Sequence, residues 1–347
     1  MSVNILFIGD PHFQINNLTE VDLFIEQITE LAIRKKPDLI VIAGDLLHTH
    51  ERLHTTVLNK AYDLVHKLRK ITTTYILVGN HDYISNTQFL TQNHWMNSMK
   101  EWRNVVIVDS VVSVIISEKK FVFVPYVYPG RFTEALDTIE GTWKDSQCIF
   151  AHQEFEGCKM GAIVSVDGDK WSTELPPVVS GHIHSKQTLT NNVFYPGTPM
   201  QHAFGESETN IVAFLNFEQD DENYILEEIK LRLPKKKILY LDISDLDTYR
   251  PSDGDDKVRL TVNGTYEQFK AIKKTSKYKQ LLNDGIKVVF KAEERVTDIS
   301  QTVINEVTDF SKILNTIVVT KKDQYLLQVY EHVLNGKKIK TDDVFFL

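Results

Sequence analysis

The chain of 347 residues carries a net charge of −8 and has a hydrophobic fraction of 42%, a composition typical of a soluble globular protein. At about 100–200 residues per domain, this length predicts one large domain and one smaller domain. The acidic balance excludes nucleic-acid binding through overall charge alone, no apolar run approaches the ~18 residues of a membrane-spanning helix, and two cysteines give no disulfide framework, as expected in the cytoplasm.

The first 230 residues alternate apolar strands with helices. We expect strands at 3–9, 38–43 and 74–78, with helices at about 19–36 and 53–70 between them. This order predicts right-handed crossovers and a parallel core. Further strands are predicted at 105–108, 111–116, 121–124, 147–151, 177–180, 187–189, 193–195, 211–217 and 224–229. We expect the strands from 187 onwards to complete a second sheet, so the fold class is α/β, with a two-sheet sandwich over residues 1–230.

The remaining chain reads as two further parts. Residues 231–237 are basic and contain Pro234, which indicates a linker. Strands at 258–262 and 286–291 flank a helix at 266–282, so residues 231–297 are predicted to form a small α+β capping domain. Residues 298–347 are predicted to form a helical C-terminal tail. Earlier in the chain, a helix at 86–102 carries Phe89, Trp95 and Met96, which would serve either the core or self-association.

Polar side chains follow five of the predicted strand ends. The third strand ends in Gly79–Asp82, in which Gly79 is expected to permit a sharp turn and Asp82 to orient His81. Two other strands end in paired motifs with one residue between the partners. Because residues two apart in an extended segment project to the same side, each pair can hold one ion. The full set is Asp10, His12, Asp45, Asn80, His81, His152, His182 and His184.

Seven of these residues, all except His81, are candidate metal ligands. One ion takes about four to six ligands, whereas two ions that share Asp45 as a bridge would use all seven. Imidazole, carboxylate and amide oxygen without thiolate suit Mn²⁺, Fe²⁺ or Zn²⁺ better than Mg²⁺. Two ions roughly 3.5–4 Å apart serve in-line phosphoryl displacement. The sequence therefore predicts hydrolysis of a phosphoester.

The motifs D-x-H, G-D, G-N-H-D, an isolated His and G-H-x-H, in this order, resemble those of the calcineurin-like metallophosphoesterases over about residues 3–230. Within that superfamily the chain looks most like the SbcD-type, or meiotic-recombination-eleven-like, DNA double-strand-break-repair nuclease in a compact, bacteriophage-like version. The second motif continues as Leu46-Leu47-His48, and the last is followed by Gln187 and then by Tyr195–Pro199. The predicted small domain and helical tail also resemble the parts that follow the phosphoesterase domain in that nuclease.

The resemblance implies a role for each site residue. A first metal would be bound by Asp10, His12, Asp45 and His184, and a second by Asp45, Asn80, His152 and His182. His81 is implied as the catalytic histidine, with Asp82 orienting it. His48 is implied to contact the substrate phosphate, and the loop that begins at Tyr195 to position the scissile strand of DNA. His50 and His54 match no motif, and we expect them in a solvent-exposed loop.

The implied function is that of a two-metal, Mn²⁺-dependent DNA nuclease. It would act as a 3′–5′ exonuclease and a single-strand endonuclease, and would process DNA ends in repair and recombination with an SbcC-type coiled-coil ATPase. The chain has no G-x-x-x-x-G-K-[ST] motif, so ATP dependence would come from that partner. The resemblance further implies a homodimer without membrane contact, in the cytoplasm, or in the host cytoplasm for a bacteriophage protein.

Two other functions remain open from the sequence. A phosphomonoesterase or a cyclic-nucleotide phosphodiesterase could use the same metals, although a small substrate needs no second domain. An inactive DNA-end scaffold is disfavoured because every ligand position is filled.

Two surfaces have alternative explanations. Four lysines recur at helical spacing in the small domain and form either a solvated face or a contact to the DNA backbone: Lys270, Lys273, Lys274 and Lys277. An apolar stripe in the tail would dock onto either the small domain or the ATPase partner. The stripe contains Tyr325, Leu326, Val329, Tyr330 and Val333.

Overall fold

In a computed structural model of the protein, the described residues are 2–50, 52–218, 223–251, 254–292, 314, 317–321, 326–327 and 330. The chain divides into two compact units, Met1–Ala292 and Glu293–Leu347. The strands are β1 (Val3–Ile8), β2 (Leu39–Ile42), β3 (Thr73–Leu77), β4 (Val105–Val108), β5 (Val112–Ile116), β6 (Lys119–Val124), β7 (Cys148–His152), β8 (Lys159–Met160), β9 (Ile163–Val164), β10 (Val178–Gly181), β11 (Gln187–Thr188), β12 (Val193–Tyr195), β13 (Val212–Phe217), β14 (Ile225–Ile229), β15 (Lys236–Asp242), β16 (Lys257–Gly264) and β17 (Lys287–Ala292). The helices are α1 (Leu18–Lys35), α2 (Thr55–Leu68), α3 (Phe132–Leu136), α4 (Tyr266–Ile272) and α5 (Ser276–Asn283), with 3-10 turns at Ile15–Asn17, Trp95–Glu101 and Ile243–Asp245.

Two six-stranded sheets form the larger part of the first unit. The first has the order β14-β13-β1-β2-β3-β4, in which β1 to β4 run parallel. The second has the order β11-β12-β10-β7-β6-β5, in which β12, β10, β7 and β6 run parallel. The second sheet therefore has antiparallel strands at both edges, β11 and β5, whereas the first is antiparallel only at the edge formed by β13 and β14. In such sheets, ligand sites lie at the carboxyl ends of the parallel strands.

The sheets pack face to face, with helices on the outer face of the first sheet. Side chains alternate along each strand, so β1 sends Ile5 and Phe7 into the layer between the sheets and Leu6 and Ile8 towards α1 and α2. Phe7 stacks on Phe150 of the second sheet, with ring centroids 5.8 Å apart. Because both faces are covered, the central strands read as continuous apolar runs. The predicted two-sheet α/β sandwich is confirmed.

Two assignments within the sandwich were wrong. Strands β13 and β14 do not belong to the second sheet, because β13 pairs antiparallel with β1, in the register Val3 to Phe217. The predicted helix over 86–102 is a 3-10 turn at Trp95–Glu101, which begins after His94. Met96 is fully buried in this turn, so it belongs to the core and not to a self-association surface.

The smaller part of the first unit is a parallel three-stranded sheet, β15-β16-β17, covered by α4 and α5. Leu260, Val262 and Leu281 are fully buried in its core. The sequence analysis missed β15 because its Lys236-Lys237 start was assigned to a linker. This strand pairs in parallel with β16 along its whole length.

A buried carboxylate joins the small sheet to the sandwich. Glu20, at the start of α1, has a 3% exposed side chain and lies 2.6 Å from Nζ of Lys257 and 3.7 Å from Nζ of Lys236. The backbone N–H of Lys236 donates to Oε1 of Gln201 over 2.7 Å. Hydrogen bonds to charged groups are the stronger ones in proteins, so these contacts fix the small sheet against the loop that follows β12.

The predicted single helix at 266–282 is two helices, so the four lysines do not continue along one helix face. The Thr275 hydroxyl accepts from the Tyr278 N–H and starts α5, three residues after α4 ends. Lys277 donates to the backbone oxygen of Tyr249 over 2.7 Å and is half-buried. Lys270, Lys273 and Lys274 are exposed, and Nζ of Lys273 lies 5.2 Å from the centroid of the Phe290 ring.

Few residues of the predicted tail are described. Leu326 and Tyr330 are helical, and Leu326 is 41% exposed, whereas Tyr325, Val329 and Val333 lie outside the described residues. Within the part of the chain that is described, every helix is too short or too polar to cross a lipid bilayer.

Candidate metal centre

The seven predicted ligands meet at one edge of the sandwich, because both sheets end their parallel strands there. The first sheet brings Asp10 and His12 after β1, Asp45 after β2 and Asn80 after β3. The second sheet brings His152 as the last residue of β7, and His182 and His184 directly after β10.

Ligand atoms from separate motifs lie within contact distance of one another. Nε2 of His12 is 2.9 Å from Nε2 of His184 and 3.5 Å from Oδ2 of Asp45. The side-chain oxygen of Asn80 is 3.0 Å from Nε2 of His152 and 2.9 Å from Nδ1 of His182. Because Nε2 of His152 is also 3.5 Å from Oδ2 of Asp45, the Asp45 carboxylate stands between the two groups of ligands.

The burial and the pKa shifts of Asp10 and His12 are those expected of ligands that bind divalent cations. Both carboxylate oxygens of Asp10 are buried and have no hydrogen-bond partner among the described residues. Burial raises the pKa of Asp10 to about 6, and burial holds the pKa of His12 well below its usual value. Nδ1 of His152 is 3.5 Å from Oδ1 of Asp10, and a buried carboxylate without a hydrogen bond is costly unless a cation compensates it. The side chains of Asp10, His12 and His184 offer ligand atoms that all lie within 4.8 Å of one another.

Three of the ligands lie in strained backbone conformations. The φ angles of His12, Asp45 and His182 are 45°, 47° and 77°, in the left-handed region that side chains other than Asn, Asp and His rarely adopt. Such strain concentrates at functional sites. Here it turns each side chain sharply at the end of its strand.

Gly79 is required by close approach and not by a left-handed turn. A Cβ atom at Gly79 would lie 2.2 Å from Oδ1 of Asp45 and 2.4 Å from its backbone nitrogen. The chain does turn here, because the Asp82 N–H donates to the Gly79 backbone oxygen over 3.1 Å, but the φ of Gly79 is not positive. The missing side chain lets the loop after β3 pass directly against the shared carboxylate.

His81 is oriented by a backbone carbonyl, and the expectation that Asp82 orients it was wrong. The Nδ1–H of His81 donates to the backbone oxygen of His48 over 2.7 Å. The Asp82 carboxylate instead accepts from the Gly79 N–H at 3.0 Å and from Nε1 of Trp95 at 2.9 Å. Asp82 therefore stabilises the turn that carries Asn80 and His81 and does not contact the imidazole.

Carboxylates that the sequence analysis missed lie behind two of the histidine ligands. Oε2 of Glu154 is 3.9 Å from Nε2 of His182, and Oε1 of Glu206 is 3.8 Å from Nδ1 of His184. Carboxylates in this position orient a metal-bound imidazole and make it a better ligand. Glu154 lies two residues after His152, but its position gave no signal without the fold.

A further histidine, His202, completes one wall of the centre. Its Nε2–H donates to the backbone oxygen of Asp10 at 3.2 Å, and its backbone N–H donates to Glu206 at 2.6 Å. Its ring centroid is 5.0 Å from that of His12. Burial lowers the pKa of His202, which keeps its ring neutral. The only sequence signal was its place just after the Tyr195–Pro199 motif.

Tyr195 and His50 lie in environments that differ from those expected from the sequence. Tyr195 is fully buried, and its hydroxyl donates to the Gln153 backbone oxygen over 3.1 Å and accepts from the Phe155 N–H over 3.0 Å. The prediction that Tyr195 itself contacts DNA was therefore wrong. His50 is not a free loop residue, because its ring stacks on His81 with centroids 4.4 Å apart.

A cleft of about 530 Å³ opens at the ligand cluster. Asp45, Asn80, His81, His182 and His184 lie along it. His48 stands beside it, with its ring 5.3 Å from that of His12. The cleft therefore exposes the ligands and the candidate catalytic histidine to the same space.

Comparisons with known proteins agree with this geometry. A family model described as calcineurin-like phosphoesterase matches residues 3–186. Two viral proteins that are named provisionally as phosphoesterases are similar: 244L of invertebrate iridescent virus 6 is 50% identical over 78% of this chain and 97% of its own, and 078R of invertebrate iridescent virus 3 is 45% identical over 92% and 93%. A solved structure of the Plasmodium inner-membrane-complex anchor GAP50 covers 68% of this chain and 90% of its own at 13% identity, with a TM-score of 0.39. The chain belongs to the calcineurin-like phosphoesterase family.

Proposed function

We propose that the protein is a Mn²⁺-dependent nuclease that hydrolyses phosphodiester bonds of DNA. The observation that carries this proposal is the position of His81, which is held beside the converged ligands and lines the same cleft. A candidate general acid next to a set of metal ligands is the arrangement that phosphoester hydrolysis needs.

The ligands divide into two groups around the shared carboxylate. One group would hold a first cation through Asp10, His12, Asp45 and His184, and the other a second cation through Asp45, Asn80, His152 and His182. Bound cations would supply Lewis-acid activation of water and would neutralise charge on the phosphoryl group.

Residues outside the ligand set handle the substrate. Because Nδ1 of His81 donates to a backbone oxygen, Nε2 is the nitrogen that would face the substrate. It gives a proton to the leaving oxygen only from the imidazolium form, in which both ring nitrogens carry a proton. His48 would contact a non-bridging phosphate oxygen from the neighbouring position, where its ring lies 5.6 Å from that of His81.

The position of the small sheet favours a polymeric substrate. Lys236, on the first strand of this sheet, donates to Gln201 through both its backbone N–H and its ammonium group. His202, which follows Gln201 in the chain, donates to the backbone oxygen of Asp10. A second platform therefore lies close to the metal centre, which a small phosphoester does not require. The alternative is a phosphomonoesterase or a cyclic-nucleotide phosphodiesterase, which the same ligands could serve.

The partner and the assembly state are part of the proposal. We infer from the family resemblance that an SbcC-type coiled-coil ATPase binds the tail, and that the nuclease forms a homodimer. Truncation after Asp298 should leave Mn²⁺-dependent cleavage intact but abolish co-purification with such an ATPase. Unchanged binding by the truncated protein would contradict the tail assignment, and a monomer in sedimentation at micromolar concentration would contradict the dimer.

One assay separates the candidate functions. End-labelled linear duplex and single-stranded DNA, a cyclic nucleotide and 4-nitrophenyl phosphate are each incubated with the protein and Mn²⁺, with His81→Ala as the inactive control. Release of nucleotides from DNA that is lost with His81→Ala supports the nuclease. Hydrolysis of the small substrates alone would overturn it.

A further inference from the structure

Trp95 connects the loop that carries the candidate general acid to the 3-10 turn at Trp95–Glu101. The Nε1–H of its indole donates to Oδ1 of Asp82 over 2.9 Å. Asp82 is only 2% exposed and directly follows Asn80 and His81, both of which line the cleft. An indole on a separate turn therefore contacts the loop that brings a candidate ligand and the candidate general acid to the metal centre.

The Asp82 carboxylate closes this loop and is itself held by Trp95. Its Oδ2 accepts from the Gly79 N–H at 3.0 Å, and the Asp82 N–H donates to the Gly79 backbone oxygen over 3.1 Å. Among the described residues, the hydrogen bonds to this carboxylate come from Gly79 and Trp95. The backbone N–H of His81 donates to Oδ1 of Asp45 over 2.8 Å. The loop is thus tied to the shared carboxylate on one side and to Trp95 on the other.

The turn that carries Trp95 is itself fixed. Nδ1 of His94 accepts from the Met96 N–H at 3.2 Å, and the Nε2–H of His94 donates to Oδ2 of Asp109 at 3.0 Å. Asp109 directly follows β4 and also accepts from Lys100 over 2.5 Å. Met96 is fully buried. Because both ring nitrogens of His94 and the side chain of Met96 are held, the indole between them is a fixed support for Asp82.

Loss of the indole N–H would leave Oδ1 of Asp82 buried without its donor. A buried acceptor that loses its partner is costly, and more so when it carries a charge. The loop would relax by moving this carboxylate towards another donor or towards water, and Asn80 and His81 would move with it. A misplacement of about 1 Å that originates far from the reacting atoms can lower turnover by about 10²-fold.

We propose that Trp95 is a positioning residue that sets the placement of Asn80 and His81 through Asp82. The proposal rests on the proposed function, in which His81 serves the substrate, and deepens it by naming a residue of the 3-10 turn on which turnover depends. Trp95 does not touch the substrate in this role. Its effect reaches the metal centre through one hydrogen bond.

The test compares two equal substitutions on the same turn. Trp95→Phe removes the donor to Asp82 and keeps an aromatic ring. Trp102→Phe is the control, because Trp102 follows the other end of the turn and its ring centroid is 5.7 Å from that of Tyr62, against 6.1 Å for Trp95. Each protein is assayed with Mn²⁺ on bis(4-nitrophenyl) phosphate and on linear duplex DNA, well below its Tm. Calorimetric titration of the metal-free proteins with Mn²⁺ gives a second readout.

The expected result is a fall in kcat for the small diester of about 10–100-fold in Trp95→Phe, with KM within about twofold of the wild type. Binding of one of the two Mn²⁺ ions should weaken by about tenfold, because Asn80 belongs to only one group of ligands. The control should change neither quantity. A purely structural role would lower Tm in Trp95→Phe and leave kcat at saturating Mn²⁺ unchanged. That result, or an equal fall of kcat in both variants, would overturn the inference.

A double-mutant cycle tests whether Trp95 acts through Asp82. Substitutions that act through one contact are not additive, so Trp95→Phe should cost nothing further in an Asp82→Ala background, whereas additive losses would contradict the proposal. If Asp82→Ala does not fold, the comparison of Trp95→Phe with Trp102→Phe decides alone. If the wild type hydrolyses neither the small diester nor DNA, the proposed function fails, while the Mn²⁺ titrations still test the positioning role.

Discussion

His81 donates its Nδ1–H to the backbone oxygen of His48 over 2.7 Å, so the loop after β2 fixes the tautomer of a residue in the loop after β3. The backbone N–H of His81 donates to Oδ1 of Asp45 over 2.8 Å. In the proposed function the side chain of His81 serves the substrate, whereas its backbone N–H supports the candidate metal centre. This division makes binding and turnover separable by mutation.

We predict that His81→Ala lowers kcat by about 10²–10⁴-fold, the contribution typical of a general acid. Metal content and DNA affinity should persist, because alanine keeps the backbone N–H that donates to Asp45. Single-turnover cleavage and elemental analysis check both parts. His50→Ala, which removes only a stacking contact to His81, is the control and should cost far less. Loss of metal from His81→Ala would show that His81 is a ligand.

We predict two Mn²⁺ ions per active chain and the loss of both in Asp45→Asn, because the Asp45 carboxylate stands between the two groups of ligands. Elemental analysis after dialysis gives the metal content. Asp137→Asn is a matched control, since the acceptor of the Trp143 Nε1–H is retained outside the centre. A single ion per chain in fully active protein would be incompatible with the two-metal mechanism.

Metal removal should destabilise the protein, because Asp10 is then left buried with no hydrogen-bond partner among the described residues. Free Mn²⁺ at about 100 times its Kd should stabilise the fold by ~2.7 kcal/mol per site. Thermal unfolding with EDTA and with added Mn²⁺ measures the shift of Tm. In Asp10→Asn the shift should fall by about half, because Asp10 belongs to only one of the two groups of ligands. A wild-type Tm that is the same with EDTA and with added Mn²⁺ would argue against metal binding by these residues.

Glu206→Gln should weaken metal affinity by about 10–100-fold, the usual effect of losing a carboxylate behind a histidine ligand. Glutamine retains an acceptor for the His202 N–H, so the fold should survive and only the charge near His184 is lost. Calorimetric titration of the metal-free protein with Mn²⁺ gives the affinity. Glu208→Gln, in an exposed pair with Lys235, serves as the control. Equal Mn²⁺ affinities in the wild type and both variants would show that Glu206 does not contribute to metal binding.

Lys277 donates to the Tyr249 backbone oxygen and Lys273 lies over the Phe290 ring, so the test of the lysine face uses the exposed residues Lys270 and Lys274. If these meet the DNA backbone, their joint replacement by alanine should lower DNA affinity and reduce the slope of log K against log salt by about 2, one for each phosphate contact. Fluorescence anisotropy over a salt series measures the slope. Lys70→Ala/Lys144→Ala removes the same charge elsewhere and should change the slope less. Identical slopes for both double variants would identify a solvated face.

The convergence of the candidate metal ligands could be predicted from the sequence because their positions follow from local rules. Apolar runs predict buried strands, and parallel strands end at one edge of a sheet, so Asp10, Asp45 and Asn80 had to meet there. The spacing of His182 and His184 placed both after one strand. Strand bounds were accurate to one or two residues for the same reason.

Tertiary structure decided what depends on contacts between distant parts of the chain. The pairing of β13 with β1 joins residues more than 200 positions apart, and no local pattern shows which edge a strand will join. Asp82 follows His81 directly, yet its carboxylate accepts from the Gly79 N–H and from Nε1 of Trp95, because the Gly79 N–H is buried and needs an acceptor. Glu154, His202 and Glu206 gained their roles in the same way. Ligands at strand ends are set by the regularity of the sheet, whereas the groups that orient them are set by side-chain packing, which exists only once the two sheets meet.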